Sequence, residues 1–239
     1  MGWAAEAIHR DGLQHRSKRR DLLEILIPYG LILGVIWTPR PIQKWLWILA
    51  AAVVVLVTVI SWPGLDAVGL RRKNFLRSLW IVGAAMAAAT VAVALAGHLH
   101  TLYLHGGPLW LLENYWLYAI WSGAQQFLLQ SFFLLRFMRV LPRKWMAALA
   151  SAGLFSLAHM PSYILVPAAL VWGFLACLLF LRYRNLYPLA MAHAILGITI
   201  AITIPGAVDH NMRVGLGYLH YSPRYHWHHP LWMRRSPQP

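Results

Sequence analysis

Seven apolar blocks separated by short polar joints run along most of the chain, near residues 22–37, 45–62, 79–97, 112–135, 145–160, 163–181 and 186–204. An α-helix needs about 20 apolar residues, with a range of roughly 17–25, to cross the hydrocarbon core of a bilayer. Four blocks meet that length plainly. The first and fifth are short, which suggests tilt, an interfacial position or completion by flanking residues. The fourth is long and carries the most polar content. The pattern predicts an all-α fold, a polytopic transmembrane helical bundle of about seven spans. No internal repeat is visible, and a transporter built from inverted repeats and broken helices has little support.

Composition excludes the soluble alternatives. Of 239 residues, 59% are hydrophobic and 12% charged, and the mean hydropathy is +0.54. Soluble domains carry about 25% charged residues. The chain holds 21 Lys and Arg against 7 Asp and Glu, a formal net charge of +14. Such an excess can mark a nucleic-acid binder. Here its distribution points to membrane topology instead, and no nucleic-acid partner is expected. The segment before the first block carries five basic residues. The second, fourth and sixth inter-block joints carry four, four and two. The alternate segments carry two, none, none and four, the last four lying in the tail. Basic residues collect in cytoplasmic loops, so the N-terminus is expected in the cytoplasm and the protein in a bacterial plasma membrane, with lipids as partners. The tail's four basic residues are the one discord.

Three regions follow. Residues 1–21 form a basic cytoplasmic segment that does not read as a signal peptide. Residues 22–204 form the transmembrane domain. Residues 205–239 form a polar tail rich in His and Pro, whose His226, His228 and His229 offer possible metal ligands, although a solvated or headgroup-level tail is the plainer reading. The single cysteine, Cys177, lies inside an apolar block and excludes an internal disulfide.

Polar groups inside a bilayer are costly and mark function more often than in soluble proteins. Those here are Glu113, Asn114, Gln125, Gln126 and Gln130 on the fourth block, His159 on the fifth and His193 on the seventh. Gln126 and Gln130 stand four apart and share a helix face, as do Phe155 and His159. Pro161 then ends that helix. His193 falls near the middle of its block. The three blocks can bring neutral polar groups to one internal site, or can use them only for interhelical hydrogen bonds.

The run Ala124-Gln-Gln-Phe-Leu-Leu-Gln130, followed by Phe155-Ser-Leu-Ala-His159 and His193-Ala-Ile-Leu-Gly197, resembles the motif order of the CAAX-processing and bacteriocin-processing (CPBP, or Abi) intramembrane proteases: Glu-Glu-x-x-x-Arg, Phe-x-x-x-His, then His-x-x-x-Asn or Asp. The Gly69-Leu-Arg-Arg72 segment is also similar to a stretch of that family, and the resemblance spans about residues 65–204. It implies a CPBP-like core and hydrolysis of peptide bonds in membrane-associated substrates. By position His159 matches the histidine that activates water, His193 matches the oxyanion-side histidine, and Gln125 and Gln126 stand where the carboxylates belong. Gln130 replaces the Arg, and Gly197 the final Asn or Asp.

These departures bear on activity. A glutamine orients water but takes no proton. With the carboxylates gone, a buried Arg would be unpaired, so Gln130 fits a site made neutral throughout. Glu113 lies twelve residues before Gln125, about 18 Å along one helix, and Asp209 follows the last block. Either would need an unusual arrangement to substitute. His159 and His193 supply two ligands where a catalytic zinc uses three, so no metal and no cofactor are expected. Two functions stay open: an intramembrane endopeptidase of weakened or altered activity, with His159, His193, Gln125 and Gln126 at its centre and Gln130, Phe155 and Glu113 in support, or a catalytically inactive relative that binds a peptide, lipid or partner helix in the same cavity.

Overall fold

A computed structural model describes residues 18–104 and 107–222; the His226, His228 and His229 cluster lies outside the described residues, as does most of the basic N-terminal segment. Helices account for each of the seven apolar blocks. They are α1 (Lys18–Trp37), α2 (Arg40–Ile60), the short α3 (Leu65–Val68) and α4 (Phe75–Ser78), α5 (Trp80–His98), α6 (Pro108–Gln126), a π-helical stretch Phe127–Leu134, α7 (Leu135–Val140), α8 (Lys144–Leu157), α9 (Leu165–Tyr183), α10 (Tyr187–Thr203), and two short helices, α11 (Gly206–Asp209) and α12 (Gly215–Leu219). Three helical stretches are long and apolar enough to cross a membrane: Arg40–Ile60, Phe75–His98 and Leu165–Tyr183. A fourth forms if Tyr187–Thr203 and Gly206–Met212, bent by 111°, count as one broken span. That is three or four of the seven spans expected. The 14-residue α8 is about 21 Å long at 1.5 Å per residue, too short to cross alone.

The core lies where the π-helical stretch meets α8, α9 and α10. Leu129 and Leu134 are fully buried there, whereas Phe132 is buried in a second cluster with Ile25 of α1. Helices α8 and α9 approach closely because small residues face each other across the seam. Ala148 and Ala152 are buried on one side, Gly173, Ala176 and Cys177 on the other. A Cβ at Gly173 would come within 3.4 Å of the Ala152 backbone. In lipid, where apolar surface gains little by leaving the solvent, such close approach is a main source of helix association.

One end of the bundle gathers the basic segments. Arg139 of α7 is paired with Asp21 at 2.6 Å, and Arg136 with Glu24 at 3.0 Å. Ser61, at the end of α2, donates to the Glu24 carboxylate. Ser131 donates to the Val68 carbonyl, tying the 61–74 joint to the same end. Asn185 donates to the carbonyls of Arg71 and Lys73, and the Leu186 amide donates to the carbonyl of Gly69. Gly69 has φ +77°, and a Cβ there would strike Phe180. The Gly69-Leu-Arg-Arg72 segment is thus a clamp on the joint that launches α10. The start of α1 and the 136–144 joint lie on one side of the bundle, as the charge count expects.

Candidate functional site

The continuous helix from α6 into the π-helical stretch carries three glutamines into the bundle. In a π-helix backbone bonds reach one residue further than in an α-helix, and such stretches are often found at functional sites. Gln126 closes α6 and Gln130 sits one turn later; both are wholly buried. The Gln130 Nε2 donates to Gln126 Oε1 at 2.7 Å. The Gln126 Nε2 lies 2.6 Å from His193 Nδ1. Because Gln126 Oε1 accepts from Gln130, its NH2 group faces His193 as donor. His193 Nδ1 is then the acceptor, and its proton resides on Nε2. The result is a one-way neutral chain from Gln130 through Gln126 to His193, tying the π-helical stretch to α10.

His159 stands apart from this chain. It lies just past the end of α8, near the bundle end opposite the basic one, rather than inside the helix. Its Nδ1–H donates to the Phe155 carbonyl at 2.7 Å, satisfying one of the carbonyls that every helix leaves open at its C-terminus. That leaves Nε2 as the imidazole's lone-pair nitrogen. Phe155 joins the two histidines: its ring centroid lies 4.7 Å from His159 and 5.7 Å from His193, edge-on in both cases. Trp172 of α9 also contacts His193, at 6.2 Å.

A cavity of about 1280 Å³ lies between the α1–α2 pair and the core, lined also by residues of the loops at 100–103 and 204–214. His159, Phe155 and Gln125 line it; Gln126, Gln130 and His193 sit behind its wall and do not. Tyr29 of α1 closes its floor by donating to the Leu154 carbonyl. The described lining contains no carboxylate and no Lys or Arg. Glu113 is exposed and outside the lining. Asp209, in the 204–214 loop, is buried and outside the lining, its Oδ1 accepting from the Asn211 amide.

Two contributors escape a reading by spacing. The first is Tyr118, eight residues before Gln126, whose hydroxyl lies where a Cβ on Gly197 would go. The position at which the motif carries Asn or Asp is thus filled from another helix, and any side chain there would collide with the tyrosine. The second is Trp172, which seats His193 and shows only as one aromatic in an apolar run. Tyr118, Ser122, Gln126 and Gln130 recur at intervals of four, so the signal that could have found Tyr118 is this shared helix face.

Residues 109–199 match the family model described as type II CAAX prenyl endopeptidase Rce1-like. Over these residues the chain is similar to that family. The matched segment contains the glutamines, both histidines, Phe155, Trp172, Tyr118 and Gly197, but not Tyr29, the 100–103 and 204–214 loops or Asp209. It also includes the whole neutral chain and the aromatic bridge between the two histidines. No curated protein and no solved structure matches the chain. The Rce1-like segment and the long apolar helices make this an integral membrane protein with a CAAX-protease-like helical core in a lipid environment.

Proposed function

We propose that this protein binds the apolar part of a membrane-associated molecule in the cavity between the α1–α2 pair and the core, and does not hydrolyse peptide bonds efficiently. One observation carries the reading. Gln126, where the resemblance implies a carboxylate, is held at both ends by Gln130 and His193 and contributes nothing to a cavity whose lining lacks any acid. Peptide hydrolysis by an activated water needs a group that takes a proton near neutral pH. His159 alone offers one, through Nε2, with no carboxylate to stabilise the imidazolium that forms. The Gln125 amide can orient a water but not deprotonate it.

A second reading, a weak endopeptidase, is favoured by His159 and Gln125 facing the same cavity within an Rce1-like segment. The basic end, with 15 of 21 basic residues assigned to its segments, is taken as cytoplasmic and the host membrane as a bacterial plasma membrane. The test of activity is turnover of a membrane-tethered peptide library by the purified protein and its variants. The native protein should give little or no cleavage. Gln125→Glu should raise it more than Gln126→Glu, because Gln125 reaches the cavity. Robust native turnover that vanishes in His159→Ala would overturn the binding reading in favour of the protease.

A further inference from the structure

The basic residues at one end of the bundle fall into two kinds. In the 136–144 joint, Arg136 and Arg139 are neutralised by Glu24 and Asp21. In the joints at 69–77 and 182–187 the balance is different. Arg71, Arg72, Lys73, Arg77, Arg182 and Arg184 have one acid near them, Asp66, whose side chain is 80% exposed and pairs with Arg71 at 3.3 Å. Arg72, Lys73, Arg77 and Arg182 are exposed and in no ion pair among the described residues.

Membrane topology asks only that basic residues lie somewhere in such joints. Here they are held in one place. Asn185 donates to the carbonyls of Arg71 and Lys73, Asn74 to that of Tyr183 at 3.1 Å, and Arg71 Nε to that of Arg184 at 3.1 Å. The Arg184 side chain reaches back to the Ala67 carbonyl at 3.4 Å. Asn74 and Arg184 both take left-handed backbone, φ +62° and +50°, a conformation that an arginine keeps only where its surroundings impose it and that clusters at binding sites. The two joints therefore form one fixed cationic corner. Burial, and then the charge of Arg71, push the Arg184 guanidinium below its usual range; an anion between the two arginines relieves that repulsion.

The surroundings say which anion. Leu76 is 79% exposed, Trp80 52% and Tyr187 46%. The Tyr187 ring meets Phe75 edge-on at 6.5 Å, and Trp80 Nε1 donates to the Tyr183 hydroxyl, so these side chains belong to the same corner. Exposed Trp and Tyr mark the level of the lipid headgroups, and an exposed leucine beside Arg77 fits against acyl chains. A soluble anion would satisfy the cations alone. A phospholipid satisfies both, its phosphate on the arginine forks and its chains along the apolar side chains, and basic pockets between membrane helices suit such headgroups.

We infer that the corner between the 69–77 and 182–187 joints is a binding site for an anionic phospholipid of the bilayer, with Arg72, Lys73 and Arg182 on its headgroup and Arg71 and Arg184 behind them. The inference is independent of what occupies the cavity.

The experiment places the full chain in nanodiscs of equimolar phosphatidylglycerol and phosphatidylcholine and identifies the lipids it retains by native mass spectrometry. Phosphatidylglycerol should be retained over phosphatidylcholine by at least about tenfold. The triple variant Arg72→Gln, Lys73→Gln, Arg182→Gln should lose most of that preference. A control triple, Lys18→Gln, Arg143→Gln, Lys144→Gln, removes the same charge from exposed positions at the same end and should keep it. No preference in the native protein would overturn the site, and so would equal losses in the two triples, which would leave only diffuse surface charge. Asn185→Ala unties the two joints without removing a charge and should weaken the preference; an unchanged preference in the folded variant would overturn the built corner. Should that variant not fold, the two triples decide alone. Release of the lipid by excess inorganic phosphate, at an ionic strength at which chloride leaves it bound, would overturn the lipid as occupant in favour of a soluble anion.

Discussion

Gln126→Leu removes the centre of the buried chain while keeping most of its volume. Two groups lose their partner: the Gln130 NH2, which donates to Gln126 Oε1, and His193 Nδ1, which accepts from its Nε2. Each orphaned buried polar group costs about 1–3 kcal/mol. Interhelical hydrogen bonds in membranes average only about 0.6 kcal/mol each, because the unfolded state in lipid also finds partners. Two such bonds set the lower bound near 1 kcal/mol, and two stranded groups set the upper one near 6. At roughly 2–4 °C per kcal/mol for a chain of this size, the melting temperature in detergent should fall by at least about 2 °C. The sharper assay is a double-mutant cycle of Gln126→Leu with His193→Leu, read by reversible unfolding. A coupling of about 0.5–1 kcal/mol is expected, since both substitutions remove the same bond. A coupling of zero, with stability unchanged in Gln126→Leu, would refute the chain. The glutamine would then be free to turn toward the cavity, and the case against hydrolysis would lose its main support.

Gly197→Ala should destabilise by about 1–3 kcal/mol through overpacking against Tyr118, and Tyr118→Ala should relieve it in the double variant; additive losses in a stability assay would show that the two do not meet. Glu24→Ala strands the buried Arg136 guanidinium and should cost about 3–5 kcal/mol, whereas Glu24→Gln with Arg136→Met should cost far less; equal losses in thermal unfolding would deny that the charge is buried. Cysteines introduced at residues 72, 142 and 184 should all label from the same face of the membrane, with little background because Cys177 is buried. Labelling of residue 142 from the opposite face would break the shared end built from the Asp21–Arg139 and Glu24–Arg136 pairs.

The helical layout was legible because it depends on one strong variable, the transfer of side chains into lipid. Seven apolar blocks became seven helical segments with ends displaced by a few residues. The number of true spans was less legible, since length and apolarity alone do not tell α8, 14 residues long, from a buried helix that never crosses. The site was legible in outline: the motif order placed Gln126, Gln130 and His193 on elements that do meet, whereas the position of the Phe155 ring between the two histidines was not legible. The direction each amide faces was not. Gln125 and Gln126 are neighbours in sequence and about 100° apart around the helix, so one faces the cavity and the other the core. Nothing in the residue types says which. Tyr118 was missed for a related reason. Its partner is the absence of a side chain at Gly197, and an absence shows only when two helices are placed together. Asp209 was visible as an acid beyond the last block, but its burial depends on the bend after Thr203.

The substitutions are best understood as one change rather than several. A carboxylate at 126 would need a cation, and the position for one is Gln130, a single turn away and wholly buried. Restoring Glu at 126 alone gives a buried acid beside a neutral amide, which holds its proton and acts as a donor to His193. Restoring Arg at 130 alone strands a guanidinium. A polar residue at 197 meets the Tyr118 hydroxyl. Reversion at 130 or 197 alone therefore opposes the packing left by the others, reversion at 126 alone leaves a neutral acid in the same hydrogen bonds, and a return to charge-based chemistry requires Gln126→Glu and Gln130→Arg together, with space made at Tyr118 for any residue larger than glycine at 197. Gln125 is the exception: it faces the cavity beside His159 and takes no part in the chain. Gln125→Glu should be the best-tolerated of the reversions in the unfolding assay, and the one whose effect on peptide cleavage reports on His159 alone. If instead Gln125→Glu destabilises the protein more than Gln126→Glu, the two amides have exchanged roles, and the polar chain rather than the cavity wall is where the family's water would sit.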